Sequence, residues 1–320
     1  MHRTASKRLL TAALAALACG CLPPSGWPQA TNTAAAERRF AAPETAVQAL
    51  RAAAEASNKA GVNEIFGPAV NDFLTGDEVQ DRRNFAGFSR AMTDRCVLAP
   101  EGNDRFVLEI GTNDWPFPIP LVKQDGQWFF DTEAGREEII DRHIGRDEMN
   151  AIGVCRAYVR AQKEYFAKDR DGSGMHKYAL KFKSAPGRRD GLYWPATNGP
   201  SPFGPLLAEA HAEGYGNHAA GTGPHPFHGY LFRILTAQGR AASGGKSSYL
   251  VDGNLVGGFA LVAYPDQWGR SGIMTFIVNQ DGNVYQRNLG DKTDAIATKM
   301  TRYNPDDRWT LVQEPGVSEP

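Results

Sequence analysis

Asp169, Asp171 and Ser173, followed by Gly174, place oxygen ligands at alternate positions ahead of a glycine, the layout of the first half of a calcium loop. The position at which such a loop supplies its bidentate carboxylate is Leu180, so an ion there needs ligands from elsewhere, and a plain helix-ending turn competes with it. A second group is imidazole-rich: His211, His218, His225 and His228 fall close together, with Glu209 and Glu213 beside them. Imidazole plus carboxylate suits zinc, which would activate water for hydrolysis. No His-Glu-x-x-His pattern is present, and Gly214, Gly216, Gly221 and Gly223 impose no ligand geometry, so solvated loop histidines are the competing account. Gly269-Arg270-Ser271-Gly272 departs from the Gly-x-Ser-x-Gly elbow and lies between two expected strands, which reads as a turn. Gly244-Gly245-Lys246-Ser247 resembles a phosphate loop, but Arg240 stands where its first glycine belongs. Tyr193 and Trp194 beside Asp190, with Tyr230 and Trp268, could line a groove for a glycan or peptide; the alternative is that these rings fill a core under proline-rich loops.

The element that must position these groups is a long amphipathic helix from Asp147 running into the acidic loop at 169–174. Ile152, Cys155, Tyr158, Val159, Gln162, Tyr165 and Phe166 recur at three- and four-residue steps and form one broad, mostly apolar face. Asp147 is placed to act as N-cap, Lys163 and Lys168 sit near the far end, and Gly172 with Gly174 closes the helix. Short aromatic and β-branched runs follow, so a helix laid across an antiparallel sheet is the simplest arrangement.

Ahead of it, residues 41–145 read as a first domain. Thr45 to Ser57, Val62 to Phe73 and Asp77 to Met92 are helical pieces broken at Gly67-Pro68 and Gly76. The period then changes to two over Arg105 to Gly111, and Gln124-Asp125-Gly126 joins two further strand runs as a hairpin. A short helix, Glu133 to Ile144, closes this unit. Helices followed by a meander ending in Trp128-Phe129-Phe130-Asp131 resemble the cone-shaped α+β fold of the NTF2-like (cystatin-like) superfamily. Residues 146–313 form the second domain, with strands at Tyr178 to Lys183, Tyr230 to Thr236, Leu255 to Tyr264, Ile273 to Asn279 and Val284 to Asn288, a helix from Thr293 to Met300, and a tail at 314–320.

Net charge is −1, which leaves no electrostatic case for nucleic acid or anionic lipid as a partner. The N-terminus is more telling. His2-Arg3 and Lys7-Arg8 precede the apolar run Leu9 to Ala18, as in a signal peptide covering 1–21, and a polar tether covers 22–40. Cys19 and Cys21 are candidates for acylation, which would make a lipid anchor the chain's attachment to the membrane. In an oxidising compartment Cys96 and Cys155 could pair, closing a loop worth about 4 kcal/mol in the chain-entropy model; two separate buried thiols are the alternative.

Four runs carry a family resemblance: Trp115 to Val122, Asp190 to Pro195, His228 to Leu235 and Met274 to Gly282. They resemble the DUF2950 family of exported bacterial proteins, and the likeness extends over nearly all of the chain beyond residue 40. The resemblance implies export and carries no activity. The layout of the second half is loosely similar to pilin and pseudopilin head domains, without the long apolar N-terminal helix of a pilin. Taken together, the expectation is an exported, non-catalytic envelope protein that binds a protein or polymer partner, with calcium as the suggested cofactor. The competing class is a zinc hydrolase built on the loop from His211 to His228, and a structural component of an envelope assembly is a third.

Overall fold

The computed structural model describes residues 37–170, 172–213, 215 and 225–313. The expected signal peptide, the acylation candidates Cys19 and Cys21, most of the tether, Asp171, His218 and the tail at 314–320 therefore lie outside the described residues.

Three helices open the fold: α1 (Pro43–Glu55), α2 (Lys59–Phe66) and α3 (Glu78–Asp94). Their starts are set by local chemistry. Pro43 begins α1, the Asn58 side chain accepts the Gly61 amide at the head of α2, and the Asp77 carboxylate accepts the Val79 and Gln80 amides at the head of α3. A meander follows, made of β1 (Cys96–Pro100), β2 (Arg105–Ile110), β3 (Trp115–Pro116), β4 (Leu121–Gln124) and β5 (Gln127–Phe130), in the antiparallel order β1-β2-β4-β5 with β3 on β2. The expected hairpin is present: Asp125 and Gly126 both take positive φ, at 51° and 78°, which matches the twist of β4 and β5. The core of this lobe joins Leu50, Ile65, Phe66, Met92, Leu108, Ile119 and Phe130.

Next comes α4 (Thr132–Phe166), a single helix of 35 residues. The two helices expected over 133–144 and from 147 onward are one, and the boundary drawn at 145/146 falls inside it. Asp147 is consequently no N-cap. It is a buried mid-helix side chain, and the cap is Asp131, whose carboxylate accepts the Ala134 amide at 3.1 Å. The helix also stops earlier than Gly172. Arg170 donates to the Glu164 carbonyl at 2.9 Å, and the His176 ring lies 2.7 Å from the Phe166 carbonyl, which satisfies the last turn without a glycine.

The second core is a five-stranded antiparallel sheet of β6 (Tyr230–Leu235), β11 (Ala260–Pro265), β12 (Met274–Asn279), β13 (Tyr285–Asn288) and β15 (Thr310–Leu311), in the order β15-β13-β12-β11-β6. Both faces of β11 and β12 are covered, which is why Ala260 to Pro265 reads as a continuous apolar run. The C-terminal half of α4 lies against β11 and β12, with Cys155, Tyr158 and Val159 in the same core as Leu261, Phe276 and Val278. The chain is thus α+β, with a long helix on an antiparallel sheet. Smaller pieces surround it. A three-stranded sheet joins β7 (Ala237–Gln238), β8 (Ser247–Ser248) and β14 (Arg302–Tyr303), and β9 (Leu250–Val251) pairs with β10 (Asn254–Leu255). The helices α5 (Gly204–Glu213) and α6 (Thr293–Ala297) complete the set, α5 within a stretch the sequence leaves without periodicity. Residues 178–183 form isolated bridges to Leu255 and Tyr193 rather than a strand. The described residues make one compact unit in which α4 serves both cores.

Candidate functional site

The aromatic groove expected around Asp190 is not formed. Trp194 is 1% exposed and donates its indole N–H to the Gly199 carbonyl at 3.1 Å, and Tyr230 is buried with its hydroxyl donating to the Met274 carbonyl at 2.8 Å. Asp190 is held by Lys181 at 2.7 Å and by the Ala185 amide at 2.9 Å, while Trp268 stands exposed on the 266–273 turn, donating to Asn288. These rings fill the core or cap turns because each finds a polar partner inside the fold. Ser271 is likewise buried within that turn, 3.1 Å from the Gln267 amide.

The calcium half-loop is closed by backbone. The Asp169 carboxylate accepts the Ser173 amide at 3.2 Å and the Gly174 amide at 2.7 Å, which fixes the turn after α4. Among the described residues, no three His, Cys, Asp or Glu side chains converge as metal ligands. His211 in the last turn of α5 is exposed, His225 is exposed, and of the described histidines in this cluster His228 turns inward, where Glu213 meets it at 2.9 Å. Burial lowers the His228 pKa, with the nearby Glu213 carboxylate opposing. Cys96 and Cys155 are free thiols in different cores, Cys96 beside the first and Cys155 in the second, and the disulfide considered for them is absent.

What the fold does assemble lies between α2, α3, the first half of α4 and the first sheet. A cavity of about 720 Å³ opens there, within the range of small-molecule sites. Val62 and Phe66 of α2, Phe85, Phe88 and Ala91 of α3, Ile139 of α4, and Phe117 and Ile119 of the sheet side give it apolar walls. Phe66, Phe88 and Phe117 lie ring to ring, with centroids 5.4–5.9 Å apart. Leu74 and Trp115 are 50% and 42% exposed along the same cavity, an unusual cost for large apolar side chains unless something covers them. In the middle of α3 stands Gly87, where an added Cβ would meet no atom within 4 Å. Glycine there gives up about 1 kcal/mol of helix propensity relative to alanine and leaves the wall open.

Part of the polar lining of this cavity comes from one stripe of α4. Arg142 and Arg146 are four residues apart, with His143 between them. Arg142 donates through Nε to Glu138 at 2.5 Å and lies over the Trp115 ring, 4.9 Å from its centroid. Arg146 donates to Asn84 Oδ1 at 3.3 Å. Burial, reinforced by Arg146, pushes the His143 pKa down to about 4, so this imidazole is neutral at pH 7. Lys59 faces the cavity from α2 and packs on Phe85.

A second, polar cavity of about 520 Å³ adjoins the first, sharing Asn84, Gly87, Phe88 and Arg146 and adding Gln80, Arg83, Asn150, Glu213 and His228. It sits over a buried polar seam between the two cores. Gln80 donates to Asp147 at 2.6 Å, Tyr215 donates to Asp77 at 2.6 Å, Arg83 pairs with Glu213 at 2.7 Å, and Glu148 accepts the Ile273 and Met274 amides. Burial is the main cause that raises the Asp147 pKa to about 7, against the opposing bond from Gln80.

Of the first cavity's residues, sequence patterns marked only the family run from Trp115 to Ile119, and none as part of this site. The available signals were an uncapped glycine inside a helical run, flanked by Phe85 and Phe88, and the stripe Ile139, Arg142, Arg146, which mixes apolar and cationic groups on one face. Among the described residues, no helix is long and apolar enough to cross a membrane. A family model described as a protein of unknown function, DUF2950, matches residues 37–312. No curated protein and no solved structure matches the chain.

Proposed function

The chain belongs to the DUF2950 family of proteins of unknown function, which carries no activity to transfer, and from its geometry we propose an exported, non-catalytic envelope protein that binds a small apolar ligand in its first lobe. The observation that carries this reading is the 720 Å³ cavity with phenylalanine walls. The first lobe is read as an NTF2-like cone, its helices closing over the concave side of the meander, and the ligand occupies the mouth of that cone. Export rests on residues 1–21, and attachment to the membrane, where it occurs, on acylation at Cys19 or Cys21; nucleic acid is no partner of a chain with this charge. The polymer groove of the second lobe is withdrawn, since Trp194 and Tyr230 are buried and Trp268 stands apart on its own turn, and the expected partner becomes a small molecule.

The test is saturable binding of a neutral apolar dye, N-phenyl-1-naphthylamine, followed by its fluorescence. Wild type is expected to bind one equivalent. Gly87→Leu keeps the helix and fills the open wall, and it should abolish that binding. A dye that fails to saturate, or that binds Gly87→Leu as well as wild type, refutes the proposal.

A further inference from the structure

The walls of this cavity are mostly apolar, yet the buried polar side-chain atoms that its lining residues leave without a partner are donors. Arg142 Nη1 and Asn84 Nδ2 are both buried and both without a partner. Buried N–H groups are almost always paired, so two such donors on residues that line one cavity mark where an acceptor from outside the chain belongs. Their orientation is set by other contacts. Glu138 holds Arg142 through Nε, the Trp115 ring lies against its guanidinium, and Nη1 is left over. Arg146 donates to Asn84 Oδ1, which leaves Nδ2 as that amide's free end.

The charge of the lining agrees. Lys59, Arg142 and Arg146 face the cavity against one carboxylate, Asp81, and Asp81 Oδ1 already accepts both the Thr75 amide and the Thr75 hydroxyl at 2.9 Å. His143 adds no charge of its own. An ammonium head would meet like charge here, and a hydroxyl would satisfy one donor at most. A carboxylate offers two acceptor oxygens and takes charge-assisted bonds from a guanidinium.

We propose that the ligand of the first-lobe cavity is a single-chain carboxylate of the fatty-acid type, its alkyl chain between Phe66, Phe88 and Phe117 and its carboxylate on Arg142 Nη1 and Asn84 Nδ2. This rests on the pocket reading above and specifies its ligand class. The experiment is displacement of N-phenyl-1-naphthylamine from the full chain at pH 8 by dodecanoate, dodecanol and dodecylammonium. Dodecanoate is expected to displace at a concentration at least tenfold below dodecanol, with dodecylammonium weakest. Arg142→Gln and, separately, Asn84→Leu should bring dodecanoate to within about threefold of dodecanol while dodecanol itself is unchanged, which also reports that each variant keeps a folded pocket. Dye binding with no preference for the carboxylate, or a preference that survives both substitutions, overturns the head-group assignment and leaves the apolar pocket standing. Absence of saturable dye binding overturns both.

Discussion

At Asp147, a carboxyl that periodicity placed at a helix start is 0% exposed, with one oxygen bonded to Gln80 and Oδ2 left without a partner. Its folded pKa, about 7, lies above the ordinary value of 3.8, so the folded state holds a proton that the unfolded chain releases. Stability contributed by this group is full below about pH 4, is lost as pH rises toward 7, and stays lost above it. Asp147→Asn removes the titration and keeps the shape. Urea denaturation should find it more stable than wild type by over about 1 kcal/mol at pH 8, with a smaller difference at pH 5; a gain independent of pH would refute the assignment. Cysteine chemistry is decided at this scale too. Burial pushes the Cys155 thiol up to about 12 and raises Cys96 as well, so neither is an activated nucleophile. Alkylation after unfolding without reductant should label both; a peptide crosslinked through Cys96 and Cys155 would contradict the free thiols.

Among the elements, α4 carries the most consequence, because it supplies the cationic stripe to the cavity and the buried face to the second sheet. Gly145 lies at its middle, exposed, with nothing within 4 Å of an added Cβ. In a continuous helix, Gly145→Ala should stabilise by up to about 1 kcal/mol and Gly145→Pro should cost about 3 kcal/mol. In a flexible connection between two domains both would be close to neutral, so chemical denaturation of the pair distinguishes the two arrangements. The same continuity explains why Arg142 and Arg146 reach the cavity at all: a break at 145 would leave Arg146 free to turn away from Asn84.

For the molecule as a whole, the polar seam and the shared helix tie the two cores together. Gln80 to Asp147, Tyr215 to Asp77 and Glu148 to the β12 amides each cross between them. Unfolding one core would strand these buried groups, at roughly 1–3 kcal/mol for each unpaired partner. The two lobes are therefore expected to unfold in one transition. Native-state hydrogen exchange should show the amides of Leu108 in β2 and Val262 in β11 losing protection with the same denaturant dependence. Protection lost at one well before the other would mean that the lobes are independent.

Local sequence determined the features that local physics controls. The helix breaks at Gly67-Pro68 and Gly76, the Asp125-Gly126 and Asp281-Gly282 hairpins, the apolar face of α4 and the burial of its aromatics all follow from φ preferences and from 3.6- and 2-residue periods. The family resemblance was legible for the same reason, since it resides in contiguous runs. The tertiary structure alone decided whether a group becomes a site. Trp194 and Asp190 looked like a groove until partners within the fold satisfied them, and of the imidazole and carboxylate set in that loop the fold brings His228 and Glu213 together. Arg142, Asn84 and Gly87 carried no pattern, because a cavity is a space between elements distant in the chain. Its unpaired donors can be recognised only once every nearer acceptor has been placed.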